Sequence, residues 1–189
     1  LGFSRGYGYQ GGAGRIGWGE RIKKPGFGAD FKRELRIPGP WYMSLGGFGE
    51  ILPYAENTMR LHPKKRDRFG IPQVTFRFAF GENERRHRKD LVEQGVKMLE
   101  AAGASQIQSY NEEMIGGAAI HEMGTARMGQ DPRESVVNEH NQVHAADNVF
   151  VTDGACMTSA SCVNPSLTYM ALTARAADYA VKRLQAGDL

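Results

Sequence analysis

The chain has 189 residues, with 24 Lys plus Arg against 21 Asp plus Glu, a formal net charge of +3 and 41% hydrophobic residues. That length can bury a core of one or two domains, and the composition is that of an ordinary globular protein. The charge excess is too small to mark a nucleic-acid partner, and no apolar run approaches the ~20 residues of a membrane-spanning helix.

Residues 1–40 are dense in glycine interleaved with Tyr7, Tyr9, Trp18 and Phe27, and the first thirty read as an irregular loop with aromatic anchors. Two hexamers, Gly6 to Gly11 and Gly12 to Gly17, match G-x-G-x-x-G. A phosphate-cradling fingerprint needs a buried strand before it and a helix opening from it. Only Leu1 to Arg5 precede the first match, and no amphipathic helix follows either, so a packed loop is the better reading.

From Trp41 onward the pattern turns to β. Strands are predicted over Met43 to Leu52 and Thr58 to Leu61, with a turn at Pro53 to Asn57. The clearest strand is Gln73 to Phe80, where Val74, Phe76, Phe78 and Phe80 alternate with polar or small residues and define a face to bury. Pro63 to Gly70 reads as a charged hairpin tip in preference to a nucleic-acid patch. Asn83 is placed to cap a helix reaching Ala102, with Gly103 to stop it. Leu91, Val92, Gly95, Leu99 and Ala102 form its buried face, and Glu82–Arg86 and Glu84–Arg88 offer i,i+4 pairs. The run Arg85 to Lys89 is then a solvated face.

The last third carries the polar signatures. His121 opens the run His121-Glu122-Met123-Gly124-Thr125-Ala126-Arg127-Met128-Gly129. This resembles the start of H-E-x-x-H, but Thr125 stands where the second histidine belongs, so the zinc motif fails. His140 and His144 are four apart in a loop-like stretch with no obvious third ligand, and no metal site is assigned. Cys156 and Cys162 read as free buried thiols. Val149-Phe150-Val151 reads as a short buried strand, and Asp153-Gly154 leaves it. A final helix is predicted from Pro165 to about Gln185, burying Leu167, Met170, Ala171, Ala174, Ala177, Val181 and Leu184, with Gly187 as its stop. Asn164 and Pro165 suit N-cap and N1. The same helix end carries about half a positive charge and free N–H groups, which suits a group that gains electron density.

The ordered set H-x-x-G-T-x-R-M-G, S-V-V-N, N-V-F-V-T-D-G and V-N-P-S-L-T-x-x-A-L-x-A-R-A-A-D resembles the C-terminal half of the glucose–methanol–choline (GMC) family of flavin-dependent alcohol oxidoreductases. The match runs from His121 through Asp178 and, more loosely, back to about Asn57. The resemblance implies an α+β fold. An antiparallel substrate-domain sheet with a packed helix would occupy residues 1–120. Residues 121–189 would be the strand and helix that return to an FAD-binding α/β domain. His121 matches the general base toward the substrate hydroxyl, and an imidazole ordinarily titrating near ~6.5 suits that task. Asn164 matches the second active-site position, which is His or Asn across the family. Asp153, Gly154 and Ala155 match the segment beside the flavin's ribityl and phosphates, and Pro165 and Ser166 the turn facing the isoalloxazine. The implied chemistry is proton removal by His121 with hydride transfer from the carbinol carbon to FAD.

The Gly/aromatic opening and the Asn-containing pair are more similar to bacterial sugar or glycoside dehydrogenases of the family. That similarity implies an alcohol or sugar substrate and an electron-acceptor protein as partner. The competing reading is a non-catalytic substrate- or carbohydrate-binding fragment without its own flavin site. The chain begins at Leu1 with no initiator Met and no signal-like segment, so it reads as part of a longer polypeptide, and neither a cytoplasmic nor a periplasmic location is marked. The glycine-rich βαβ unit that holds the ADP half of FAD in the family has no match here. The purified 189-residue chain is therefore expected to carry little flavin. Stoichiometric visible flavin absorbance would overturn that expectation.

Overall fold

The computed structural model describes residues 2–189. Its strands pair into three two-stranded sheets: β1 (Tyr7–Arg15) with β2 (Trp41–Gly49), β3 (Thr58–Arg66) with β4 (Pro72–Arg77), and β5 (Gln142–Val143) with β6 (Ala146–Phe150). The second and third sheets are antiparallel. Helices α1 (Trp18–Arg21) and α2 (Gly28–Arg36) lie between β1 and β2 in sequence, α3 (Glu82–Ala101) follows β4, and α4 (Ser166–Ala186) closes the chain. The architecture is α+β with small antiparallel sheets, as the sequence predicts.

The chain divides into two compact units. One comprises Gly8–Phe48 with Lys89–Asn111, and the other the residues up to Tyr7, Gly49–Arg88 and Glu112–Leu189. In the first unit the glycine-rich opening is a strand, not the irregular loop expected. A Cβ on Gly11 would sit 2.1 Å from the Ser44 carbonyl oxygen, so the missing side chain is what allows β1 to approach β2 there. Both G-x-G-x-x-G hexamers fall largely within this strand, and the helix after it is four residues long. They build no phosphate cradle. Leu91 packs on Gly47, and the Tyr9 hydroxyl donates to the Leu91 carbonyl, seating this part of α3 on the sheet.

In the second unit the β3–β4 register pairs Met59 with Phe76 and Leu61 with Val74 on one face. Period-two alternation identifies that apolar face correctly, but the described residues do not bury it: Phe76 is 67% exposed. The same holds for α4. Leu167, Met170, Val181 and Leu184, predicted as its buried stripe, are exposed, with Leu167 at 80%. The helix instead buries Ala176, with Leu172 and Tyr179 half-buried beside it. Val149, expected inside, is also exposed. Periodicity reports which face is apolar and says nothing of what covers it. Among the described residues the largest fully buried side chains are Val137, Asn141 and Cys156, so the core sits around the β5–β6 hairpin and the turn that follows it.

The start of α3 departs from expectation in an informative way. Asn83 is its second residue, not its cap, and its side chain bonds both the N–H and the carbonyl of Ser4. Gly81 takes the cap position, its carbonyl accepting from Arg85 N–H. Glu84, at the third helical position, reaches back to the Gly81 N–H at 2.8 Å and accepts the Leu52 N–H at 3.1 Å. This is the acidic half of a capping box. Its inward turn breaks the expected Glu84–Arg88 pair: Arg88 lies instead 3.5 Å from Glu113, while Glu82–Arg86 forms as predicted at 3.0 Å. Nor is Arg85 to Lys89 wholly solvated. His87 is 3% exposed, packed against the rings of Phe3 and Tyr7.

Burial pushes the Glu84 carboxyl upward, but the bonds from Leu52, Asn83, Tyr54 and Gly81 outweigh it and hold it below its ordinary value of 4.5. A depressed carboxyl stabilises the fold above the unfolded-state value, and that contribution is lost as pH falls through the lower folded one. Glu84→Ala, which leaves two backbone donors unpaired, is expected to cost about 1–3 kcal/mol in urea denaturation at pH 7. Glu84→Gln should flatten the acid limb of the stability curve below pH 4.5. An unchanged limb would show that this carboxylate is not what titrates.

Candidate active site

The segment opened by His121 is held by its backbone. Ala126 N–H donates to the Ala155 carbonyl at 3.0 Å and Met128 N–H to the Cys156 carbonyl at 2.8 Å. Val136 N–H returns to the Arg127 carbonyl at 2.9 Å, and Gly129 N–H bonds the Val137 carbonyl at 2.9 Å. The motif that carries His121 is thus clasped between Val136–Val137 and the turn after Asp153. At the clasp Gly124 has φ +86, a left-handed conformation, and a Cβ there would lie 3.0 Å from the Thr158 carbonyl oxygen. Only glycine meets both demands without strain.

The turn itself is Gly154–Cys156, a single 3-10 turn. Asp153 caps it, one carboxylate oxygen accepting the Ala155 N–H at 2.9 Å. Gly154 lies against the Met123 thioether, two residues past His121. The Gly154–Cys156 turn is therefore packed against the segment that follows His121. Cys156 is buried, and burial, with Asp153 adding to it and the Asn141 side chain opposing, pushes its thiol above the ordinary range. It is a core thiol, not a nucleophile. Cys162 is half-buried, and both cysteines are free.

α4 begins at Ser166, one residue later than expected. Pro165 occupies the N-cap and is buried, no side chain caps the helix, and Asn164 stands just outside it, exposed. The expected capping role of Asn164 is not realised; its amide makes no hydrogen bond among the described residues. The Ser166 hydroxyl lies 2.9 Å from the Tyr169 hydroxyl. The Thr173 hydroxyl reaches the Thr152 carbonyl at 3.1 Å and so ties α4 to the strand that precedes Asp153.

Of the five histidines, four are engaged. His62 Nδ1 accepts the Lys64 and Lys65 N–H groups, and His87 is buried among rings. His140 stacks on Tyr179 at 3.9 Å, and His144 Nε2 lies 2.9 Å from the Ser135 hydroxyl and 3.1 Å from the Gly129 carbonyl. His140 and His144 thus serve the packing of this region, and no metal-binding cluster is found among the described residues. His121 is half-buried and makes no hydrogen bond or ring contact among them. No hydrogen bond joins His121 to Asn164, and neither side chain is hydrogen-bonded among the described residues.

Two contributors escape sequence reading. Asn141 is fully buried with φ +65; its side-chain amide donates to the Val151 carbonyl at 2.8 Å and its main-chain carbonyl accepts the Val151 N–H at 2.9 Å. It thereby fixes the chain two residues before Asp153. Glu50 accepts from the Ser159 hydroxyl and lies 3.7 Å from Arg5, steadying the loop that leads to Asn164. The Asn141 turn has a signal in principle, since Asn tolerates left-handed backbone. The Glu50–Ser159 bond joins residues 109 apart and has none.

A family model described as GMC oxidoreductase matches residues 53–173. Among characterised relatives, the chain is 35% identical over 139 residues to 2-methyl-1,2-propanediol dehydrogenase of Mycolicibacterium austroafricanum, covering 72% of this chain and 24% of that protein. It is 31% identical over 143 residues to the fructose dehydrogenase large subunit of Gluconobacter japonicus, covering 73% and 25%. It is 33% identical over 137 residues to paromamine 6'-oxidase of Streptomyces fradiae, covering 72% and 24%. The chain spans about a quarter of the length of these relatives.

The clasp can be probed without touching a reacting group. Gly124→Ala is expected to cost about 1–3 kcal/mol of stability through its left-handed backbone. Gly154→Ala should cost less, because the atom it meets is the end of the flexible Met123 side chain. Equal losses in thermal denaturation would show that the backbone at Gly124 is not the constraint.

Proposed function

The chain belongs to the GMC oxidoreductase family, and on that premise we propose that it forms the substrate-side part of a flavin-dependent site that oxidises a CH–OH group of an alcohol or sugar. The observation that carries the reading is the state of His121. Alone among the five histidines its imidazole has neither a hydrogen bond nor a ring contact among the described residues, while the segment it opens is clasped through Ala126 and Met128 to the turn beginning at Gly154. A half-buried, unbonded ring at the start of a clasped segment is available to a substrate hydroxyl.

His121 accepts the hydroxyl proton, so the ring must be neutral at the start of the reaction. Asn164 donates its amide N–H to the same substrate oxygen and fixes the alcohol's orientation without titrating. FAD, when bound, supplies the acceptor for the hydride leaving the carbinol carbon. The residues that would hold it are Asp153, Gly154, Ala155, Pro165 and Ser166. The N-terminus of α4 fits such a group: the helix is 21 residues long and has no side-chain cap. Its first N–H groups and about half a positive charge face outward, toward an edge that gains negative charge on reduction. Asp153 commits one carboxylate oxygen to Ala155 and keeps the other for a ligand hydroxyl. In this reading residues 121–189 are the part that meets the cofactor, and residues before them contribute to the substrate side.

The test uses the full-length flavin-loaded enzyme and substrate-dependent dye reduction. His121→Ala is expected to lower kcat by about 10²–10⁴-fold, with the visible flavin spectrum retained. Asn164→Ala should lower it by about 10²-fold. If His121→Ala kept the parent kcat, the base would have to be sought elsewhere.

A further inference from the structure

The β3–β4 hairpin carries a depression of about 240 Å³ lined by Ala55, Glu56, Thr58, Arg60, Thr75 and Arg77, none of which belongs to the site described above. The ladder places Thr58 opposite Arg77 and Arg60 opposite Thr75. Each strand therefore contributes one threonine and one arginine to the same face, in opposite order. The two arginines lie on a diagonal, with backbones roughly 7–8 Å apart, a spacing from which long side chains can converge on one group.

Neither guanidinium has an ion pair or hydrogen bond among the described residues. Elsewhere in this unit Arg5, Arg85, Arg86, Arg88, Arg133 and Arg183 each lie within 4.0 Å of a carboxylate, whereas Arg66, Arg68, Arg127 and Arg175 do not among the described residues, so what sets Arg60 and Arg77 apart is that both line one depression. Glu56 lines the depression but pairs with neither arginine, so two positive charges against one negative leave a net charge of +1. Like charges side by side on one sheet face repel. The repulsion is relieved when an anion sits between them, and the guanidinium fork matches the geometry of carboxylate and phosphate oxygens.

We propose that this face of the hairpin binds a small oxyanion, a carboxylate or phosphate group. Arg60 and Arg77 donate to its oxygens, the Thr58 and Thr75 hydroxyls add further donors, and Glu56 accepts from a hydroxyl of the molecule that bears it. The site rests on the hairpin alone and stands whether or not His121 is a catalytic base.

The experiment is an NMR titration of the protein at low ionic strength with inorganic phosphate and, separately, with acetate, following the Arg60 and Arg77 Nε–H resonances. Saturable shifts at both arginines are expected with at least one anion. Saturation with phosphate alone identifies a phosphoryl site, and saturation with acetate as well identifies a site that accepts carboxylates. Arg60→Gln and Arg77→Gln should each weaken binding at least tenfold, with the circular dichroism spectrum unchanged. Should either variant disturb that spectrum, Arg60→Lys, which keeps the charge but loses the fork, should still weaken binding several-fold. The proposal is overturned if neither anion saturates, if Arg60→Lys binds like the parent, or if Lys64→Gln at the hairpin's far end weakens binding as much as the arginine variants do.

Discussion

Two backbone hydrogen bonds, from Ala126 to Ala155 and from Met128 to Cys156, join the segment that carries His121 to the turn that Asp153 caps. A side chain on a surface segment is useful in chemistry only when its backbone cannot drift, and here the constraint comes from main-chain pairing, not from bonds to the imidazole. The ring is then spared. The clasp in turn depends on the buried cluster beneath it: Cys156 supplies one of the accepting carbonyls, and Val137 accepts from Gly129 on the other side. Asn141 holds the strand that enters the turn through Val151. Loosening any of these frees the segment without altering a single group assigned to the reaction.

The same economy governs the other polar residues of the last third. Histidine is common in structural roles, and four of the five here are occupied by stacking or hydrogen bonding. His144 is bonded to Ser135 and Gly129 within the hairpin region, where a free imidazole would otherwise have to be solvated. Cys156 is a buried thiol whose proton is held more tightly than usual. His121 and the Asn164 amide, by contrast, carry no hydrogen bond among the described residues, which is what the proposed site draws on.

Much of the local structure is legible from the residues. The alternation of Val74 and Phe76 marks a strand, and β4 is there, ending at Arg77 where the alternation predicted Phe80. Gly187 ends α4 with φ +78, because glycine alone takes that conformation freely after a helix. Legibility fails where a residue's role depends on a distant partner. Glu84 turns inward because Leu52 and Gly81 present unpaired N–H groups to it, and helical spacing alone points it toward Arg88. His87 sits in a run of charged residues yet is buried, because Phe3 and Tyr7 come from the far end of the chain to cover it. The glycine-rich opening, which reads as an irregular loop by composition, becomes β1 because glycines allow close contact with β2.

By itself, then, the sequence determined the periodic elements, the helix stops and the ordered motifs that carry His121, Asp153 and Asn164. These are set by near neighbours through backbone propensity, side-chain spacing and turn chemistry, all of which act within a few residues. Tertiary structure alone decided that Asn164 stands outside the helix it was expected to cap, that Asn141 and Glu50 anchor the segments around it, and which histidine remains free. Those outcomes turn on which donor meets which acceptor across tens of residues. Such pairings follow from chain packing, because most buried polar groups are satisfied by whatever partner the fold brings to them.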